Sequence, residues 1–248
     1  TWTEGDAGSV TIAAGSVRLD GIGPFDQVIG ARIISQANPG SSGAAGTVSL
    51  TVDGLLEVLN GARISSDTFA AGDAGDISII AGSARLDDYG SPNHDTGIAS
   101  QAQMGSSGNA GTVNLTVAGL LEVLNGAAIA GSTWSQSDAS DVTIHAGSVR
   151  LDGFGASDQF TWITSDAYYG SSGNAGTVSL IVDELLDVLN GAQISSSTWA
   201  EGNARTIDIQ AEAIRIDGTH GAQSGIFSFA SSGSTGHAGR IAIRSDSL

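Results

Sequence analysis

GSSGNAGTVNLTVAGLLEVLNGAAIAG, residues 105–131, decides the fold, because close copies lie on either side of it. GSSGAAGTVSLTVDGLLEVLNGARISS begins at Gly40 and GSSGNAGTVSLIVDELLDVLNGAQISS at Gly170, so the copies start 65 residues apart. Self-similarity at a constant period means that one structural unit is stacked along an axis, each copy burying its neighbour's face. Such a stack presents a long surface rather than a single pocket.

Two related units fill each period. The short one, for example residues 43–71, reads as three runs, TVSLTV, LLEVL and ARISS. The long one, for example residues 5–42, gives SVTIAAG, SVRLDG and ARIISQA, with an excursion at 21–30 where the short unit has a tight Asn-Gly. The runs alternate apolar and polar with period two, the strand signature. In the first run the inward positions are Val10/Ile12, Val48/Leu50, Ile77/Ile79, Val113/Leu115, Val142/Ile144, Val178/Leu180, Ile207/Ile209 and Ile241/Ile243. In the third they are Ile33, Ile64, Ile98, Ile129, Ile163, Ile194 and Ile226, each followed two positions later by a serine or, once, Gly131. The expectation is an all-β chain folded as a parallel β-helix, a solenoid with three short strands per coil and about seven coils. At a strand spacing of about 4.8 Å these span roughly 35 Å.

LLEVL would also suit a helical turn. The exposed position of the second run argues against it, reading Arg18, Glu57, Arg85, Glu122, Arg150, Asp187 and Arg215 in successive units. Stacked in register, these form a structural ladder of alternating charge, which a helix would not require. Cross-strand pairs of this kind contribute about 0.2–1 kcal/mol each, so they specify register more than they stabilise. The chain therefore reads as one β-helical domain over 1–248, with superrepeats 5–71, 72–136, 137–201 and an incomplete 202–248. With no evident cap at either end and pairing edges left bare, it reads as a segment of a longer rod.

The 248 residues are 40% hydrophobic and only 14% charged, with 36 glycines, 3 prolines and no cysteine. Acidic residues outnumber basic ones 26 to 9, giving a net charge of −17. That field opposes nucleic acid and anionic membrane surfaces as partners. No apolar run approaches the roughly 18 residues of a membrane-spanning helix, so membrane insertion is not expected. The absence of cysteine suits either a reducing or an oxidising compartment.

GNAGTVNLTVAGLLEVLNGAAIAGSTW, starting at Gly108, resembles the repeats of filamentous haemagglutinin-type exoproteins, which leave the cell by two-partner secretion. The residues carrying the likeness are the GNAG or GDAG step, the alternating first strand, the NGA-x-I turn, and STW or DTF beyond it. The resemblance covers nearly the whole chain. It implies a right-handed β-helix, secretion, the cell surface of a Gram-negative bacterium or cyanobacterium, and roles in cell adhesion, aggregation or contact toxicity.

Two candidate binding features stand out. An aromatic column follows the third run at Trp2, Phe69, Trp134 and Trp199, one ring in every second coil and so about 10 Å apart. Such rings suit stacking on sugars, or they cover the corner of the solenoid. The long excursions offer Phe25 and Asp26; Asp88, Tyr89, His94 and Asp95; Phe154, Asp158 and Phe160; and His220. Loops projecting from a solenoid are usual binding sites, though solvated decoration reads the same. Tyr168 and Tyr169 form either a sticky spot or local packing. Asp is plentiful, but no acid is retained at one step of every coil, and the four histidines are scattered, so no metal or other cofactor is expected. Catalysis on this fold needs carboxylates converging at one irregular coil, which the recurring arginines do not provide. The expected function is a non-enzymatic stalk or adhesive segment, with glycans, a host or neighbouring cell surface, or further copies of itself as partners. A self-assembling extracellular fibre and a carbohydrate-active enzyme are the alternatives.

Overall fold

A computed structural model describes residues 1–2, 4–21, 30–88, 96–153, 160–218 and 223–247. Among these residues there are strands and turns and no helix. In chain order the strands are β1 (Val10–Ala14), β2 (Val17–Asp20), β3 (Arg32–Ala37), β4 (Val48–Leu59), β5 (Arg63–Thr68), β6 (Ile77–Asp87), β7 (Gly97–Ala99) and β8 (Val113–Leu124). They continue with β9 (Ala128–Ala130), β10 (Val142–Asp152), β11 (Trp162–Thr164), β12 (Val178–Leu189), β13 (Gln193–Ser195), β14 (Ile207–Asp217), β15 (Gly225–Phe227) and β16 (Ile241–Ser247). One parallel sheet stacks β1, β4, β6, β8, β10, β12, β14 and β16 in that order, with β2 also pairing to β4. The second stacks β3, β5, β7, β9, β11, β13 and β15. The chain is a parallel β-helix, and LLEVL is strand.

The corner between the first and second runs differs from a simple break. In β4, β6, β8, β10, β12 and β14 the two runs form one strand of 11 or 12 residues. Its bend is a register shift, with Val52 opposite Ala81 but Leu55 opposite Ser83. Asp53 and Gly54 therefore face Gly82 alone, and the extra residue turns the strand as a β-bulge does. Each such coil has three runs but two hydrogen-bonded strands. Only in the first coil do β1 and β2 stay separate.

The inward ladders meet in one core. Val48, Ile77, Val113, Val142, Val178 and Ile207 are fully buried, as are Ile64, Ile98, Ile129, Ile163 and Ile194 from the opposite sheet. Each such side chain contributes about 1.5–3 kcal/mol. Ile241 and Ile243 on β16 hold the same inward positions but are 40% and 38% exposed.

The serine that follows the third-run isoleucine in every coil but that of Gly131 closes the next corner. The Ser66 hydroxyl donates to the Gly46 carbonyl at 3.0 Å and accepts from the Gly75 amide at 2.8 Å. Ser35 makes the same pair with Gly8 and Gly46, and Ser196 with Gly176 and Arg205. Glycine at this step lets successive coils approach closely, since a Cβ on Gly111 would lie 2.4 Å from the Gly75 carbonyl oxygen of the coil before; Ser140 and Arg205 hold the equivalent position in two coils.

At the next corner, Asn60, Asn125 and Asn190 adopt φ of 54°, 54° and 52°, and Gly61, Gly126 and Gly191 follow at 86°, 99° and 90°. The Leu124 carbonyl accepts from the Ala127 amide at 3.0 Å across this pair. Two successive positive φ angles closed by that bond make a type I′ turn, for which Asn-Gly is the favoured pair.

Candidate functional site

The outer face of the second sheet carries most of the features that depart from the repeat. Side chains on β11 and the residues after it alternate, so Trp162, Thr164, Asp166 and Tyr168 point away from the core while Ile163 and Ser165 point in. The isolated bridges Thr68–Ala102–Thr133–Ala167–Thr198–Ala230 continue the register past the strands. The residue after each bridge forms a column: Phe69, Gln103, Trp134, Tyr168, Trp199 and Ser231. Trp2 starts it, since the Asn38 amide donates to the Thr1 carbonyl as the Phe69 amide does to Ala37.

The column packs on itself. Trp134 stacks on Tyr168 with centroids 4.5 Å apart and planes 12° apart, and Tyr168 stacks on Trp199 at 5.2 Å and 8°. Tyr168 thus fills the gap between two rings expected about 10 Å apart, and both of its faces are covered. Phe229 closes the far face of Trp199 edge-on at 4.8 Å. No open ring face is left inside this stack for a sugar. Trp2, by contrast, is 77% exposed, and Phe69 is half-buried beside Gln103.

Two hollows open beside the stack. One, about 180 Å³, is walled by Trp134, Tyr168, Phe160 and Trp162 over Ala128 and Ala130. The other, about 280 Å³, lies among Phe160, Trp162, Trp199, Phe227 and Phe229, with Gln193 and Gln223 also lining it and Asp166 and Ser195 contributing polar atoms. Phe160 and Trp162 lie 5.5 Å apart between the two.

Asp166, 1% exposed, is the only carboxylate among the described residues that line either hollow. One oxygen accepts from the Thr164 hydroxyl at 2.5 Å and the Ser195 hydroxyl at 2.9 Å, the other from the Ser197 amide at 2.7 Å. Burial still raises its pKa from 3.8 to about 6, against the pull of those three donors. The Tyr168 hydroxyl is pushed well above its ordinary value by burial and then by the nearby Asp166 charge. The Trp162 indole nitrogen is buried without a partner.

The alternating-charge ladder lies elsewhere, on the outer face of the first sheet. Arg18 sits opposite Glu57, Glu57 opposite Arg85, Arg85 opposite Glu122, Glu122 opposite Arg150, Arg150 opposite Asp187, and Asp187 opposite Arg215. Ion pairs cross coils at Arg18–Glu57 (3.1 Å), Arg85–Glu122 (3.8 Å) and Arg215–Asp187 (2.8 Å). The shorter contacts of three arginines run along their own strand, to Asp20 at 2.7 Å, Asp87 at 2.6 Å and Asp152 at 2.6 Å. The other oxygen of each of these aspartates accepts from Asn60, Asn125 or Asn190 in the following coil. Sequence reading missed this bridge, although Arg-x-Asp recurs in every long unit and Asn-Gly in every short one.

Phe25, Tyr89 and Phe154 lie outside the described residues, as do Asp26, His94, Asp95, Asp158 and His220. Asp88 is buried and accepts from the Thr96 hydroxyl. Phe160 is 48% exposed at the mouth of the hollows. The partners that complete the site, Trp162, Asp166, Phe227 and Phe229, were not singled out from the sequence.

Among the described residues no group of three or more His, Cys, Asp or Glu side chains gathers as a metal site. The acids of the Gly-rich steps instead cap amides of the next coil, Asp73 that of Asn109 and Asp76 that of Thr112, both at 2.7 Å. Comparison of the chain with family models, with curated proteins and with solved structures finds no match.

Proposed function

We propose that this chain is a rod segment of a secreted filamentous surface protein of the adhesin type. Its stacked coils hold binding side chains at fixed spacing and carry more distal parts away from the cell. The observation that carries this reading is the unbroken register: eight strands of one sheet and seven of the other pair in parallel from β1 to β16. A ladder of that kind resists bending, because every coil is hydrogen-bonded along its length to both neighbours. Weak contacts repeated along a stiff support gain avidity through effective concentration, without any one of them binding tightly. Among the described residues Asp166 is the only carboxylate at the hollows, which supports a binding role there over glycoside hydrolysis, a reaction that needs two carboxyl groups flanking the bond.

Beads coated with the chain, compared with uncoated beads on bacterial and eukaryotic cell layers and on a glycan array, test the reading. Retention should rise steeply with coating density, while the free chain competes weakly. Retention that does not exceed the uncoated beads overturns adhesion. New reducing ends or unsaturated products released from polysaccharides would replace it with catalysis.

A further inference from the structure

The repeat supplies an internal control for the hollow beside Asp166. Residues 64, 98, 129 and 163 stack as one isoleucine ladder, so Arg63, Gly97, Ala128 and Trp162 stack beside it. The bridges from Thr68 to Ala167 place Asp67, Gln101, Ser132 and Asp166 in a second column of the same face. Asp67 and Asp166 therefore hold equivalent positions three coils apart, each four residues after the residue in the first column.

At Asp67 that residue is Arg63, whose guanidinium reaches the carboxylate at 3.3 Å and the Gln101 amide oxygen at 2.8 Å. At Asp166 it is Trp162. The carboxylate keeps its place and the cation is replaced by an aromatic wall. All nine Lys or Arg residues of the chain are arginines; none lines the hollow, and among the described residues none pairs with Asp166. A buried carboxylate without an opposite charge is unfavourable. The same low dielectric that makes it so strengthens its attraction for any cation that enters.

We propose that the hollow walled by Trp162, Trp199, Phe227 and Phe229 binds a guanidinium or alkylammonium cation seated against Asp166. The ligand group takes the place that Arg63 fills for Asp67, with the Trp162 indole and the phenyl rings of Phe227 and Phe229 supplying cation–π contact. The volume of about 280 Å³ admits a cation together with its alkyl stem. The chain's net charge of −17 draws cations and repels anionic ligands. Gln193 and Gln223 offer amide groups to whatever carries the cation. The inference rests on the cleft and not on the adhesive reading; a blank glycan array leaves it intact.

The test is titration of the folded chain with N-acetyl-arginine amide above neutral pH, where Asp166 is ionised, following the indole N–H resonances. Saturable shifts are expected at Trp162 and Trp199, with at least tenfold weaker binding of the isosteric, uncharged citrulline amide. Asp166→Asn keeps an acceptor for the Ser197 amide and should weaken binding at least tenfold. Trp162→Arg rebuilds the Arg63–Asp67 arrangement from within. It should melt no lower than the parent chain and lose the ligand response. Equal responses to arginine and citrulline, or full binding by both variants, overturn the proposal. An extended arginine peptide compared with the free amide assigns the source: tighter peptide binding points to an arginine of a partner protein, equal binding to a small free cation. Both of those results uphold the cation.

Discussion

Gly131 and Ser140 exchange the residue types found at their positions in neighbouring coils. In most coils the corner holds serine and the facing step holds glycine, as in Ser66 with Gly75 and Ser165 with Gly176, while Arg205 stands at the step facing Ser196. Here the glycine is at the corner, and a Cβ on it would lie 2.3 Å from the Ser140 hydroxyl oxygen. One hydroxyl fits this corner, from either side. Gly131→Ser alone should destabilise by about 1–3 kcal/mol through overpacking. Ser140→Gly in the same chain should recover a large part of that loss. Denaturant unfolding of the two single variants and the double measures the coupling, and strict additivity would show that the sites do not share this space. Asp166 makes a second prediction at this scale. Its carboxyl titrates at about 6 when folded against 3.8 as a free group, so the folded state retains the proton over that interval. The stability it contributes is fully present below 3.8 and is lost as pH rises through about 6, about 3 kcal/mol in all. Burial raises Asp67 in the same sense. Melting curves from mildly acidic to mildly alkaline pH should show stability falling for the parent chain, and falling less for Asp166→Asn.

The Asn-Gly corner shows how an element combines local and cross-coil demands. Asn125 occupies φ of 54°, which costs an ordinary L-residue about 1–2 kcal/mol. It also donates to Asp87 at 2.8 Å, tying its turn to the coil before. Asn125→Ala loses both and should destabilise by about 1–3 kcal/mol, whereas Asn125→Gly loses only the side-chain bond, about 1 kcal/mol. Equal losses for the two would mean that the backbone angle carries no cost. The same corner marks what could be read without coordinates. Isoleucine ladders and alternating charge were legible because each strand repeats one pattern and neighbours align by period. Asp20, Asp87 and Asp152 were not, because their significance lies in a contact to an asparagine 38 to 40 residues on. Tyr168 was missed as a member of the stack because its coil follows an excursion, so that the aromatic spacing looked like every second coil. Trp162 and Phe229 have small or polar counterparts in other units, and so does Phe227 in every unit but the first, where Ile34 stands in its column. Only the register, set by bulges and turns, shows that they converge on one hollow.

Across the whole molecule, burial is shared between neighbours rather than gathered at one centre. Val10 and Ile12 are partly buried, Ile77 and Ile144 are completely buried, and Ile241 and Ile243 keep more than a third of their surface exposed. Amide hydrogen exchange should follow this gradient, with β8 and β10 protected more strongly than β1 and β16. In such a stack each coil touches only the coils next to it, so a break in the middle need not unfold the flanks. Leu115 on β8 is 2% exposed and lies between Ile79 and Ile144 in the core ladder. Leu115→Asp places an unpaired carboxylate there, a cost of several kcal/mol that local packing cannot offset. The coils before it, built on β1 to β7, and those after it, built on β10 to β16, each retain enough neighbours to bury their own ladders. Calorimetry of the variant should therefore resolve two transitions where the parent chain shows one, with exchange protection lost first around β8. A single transition at a lowered temperature would mean that the coils share one cooperative core, and the nearest-neighbour account of this solenoid would fail.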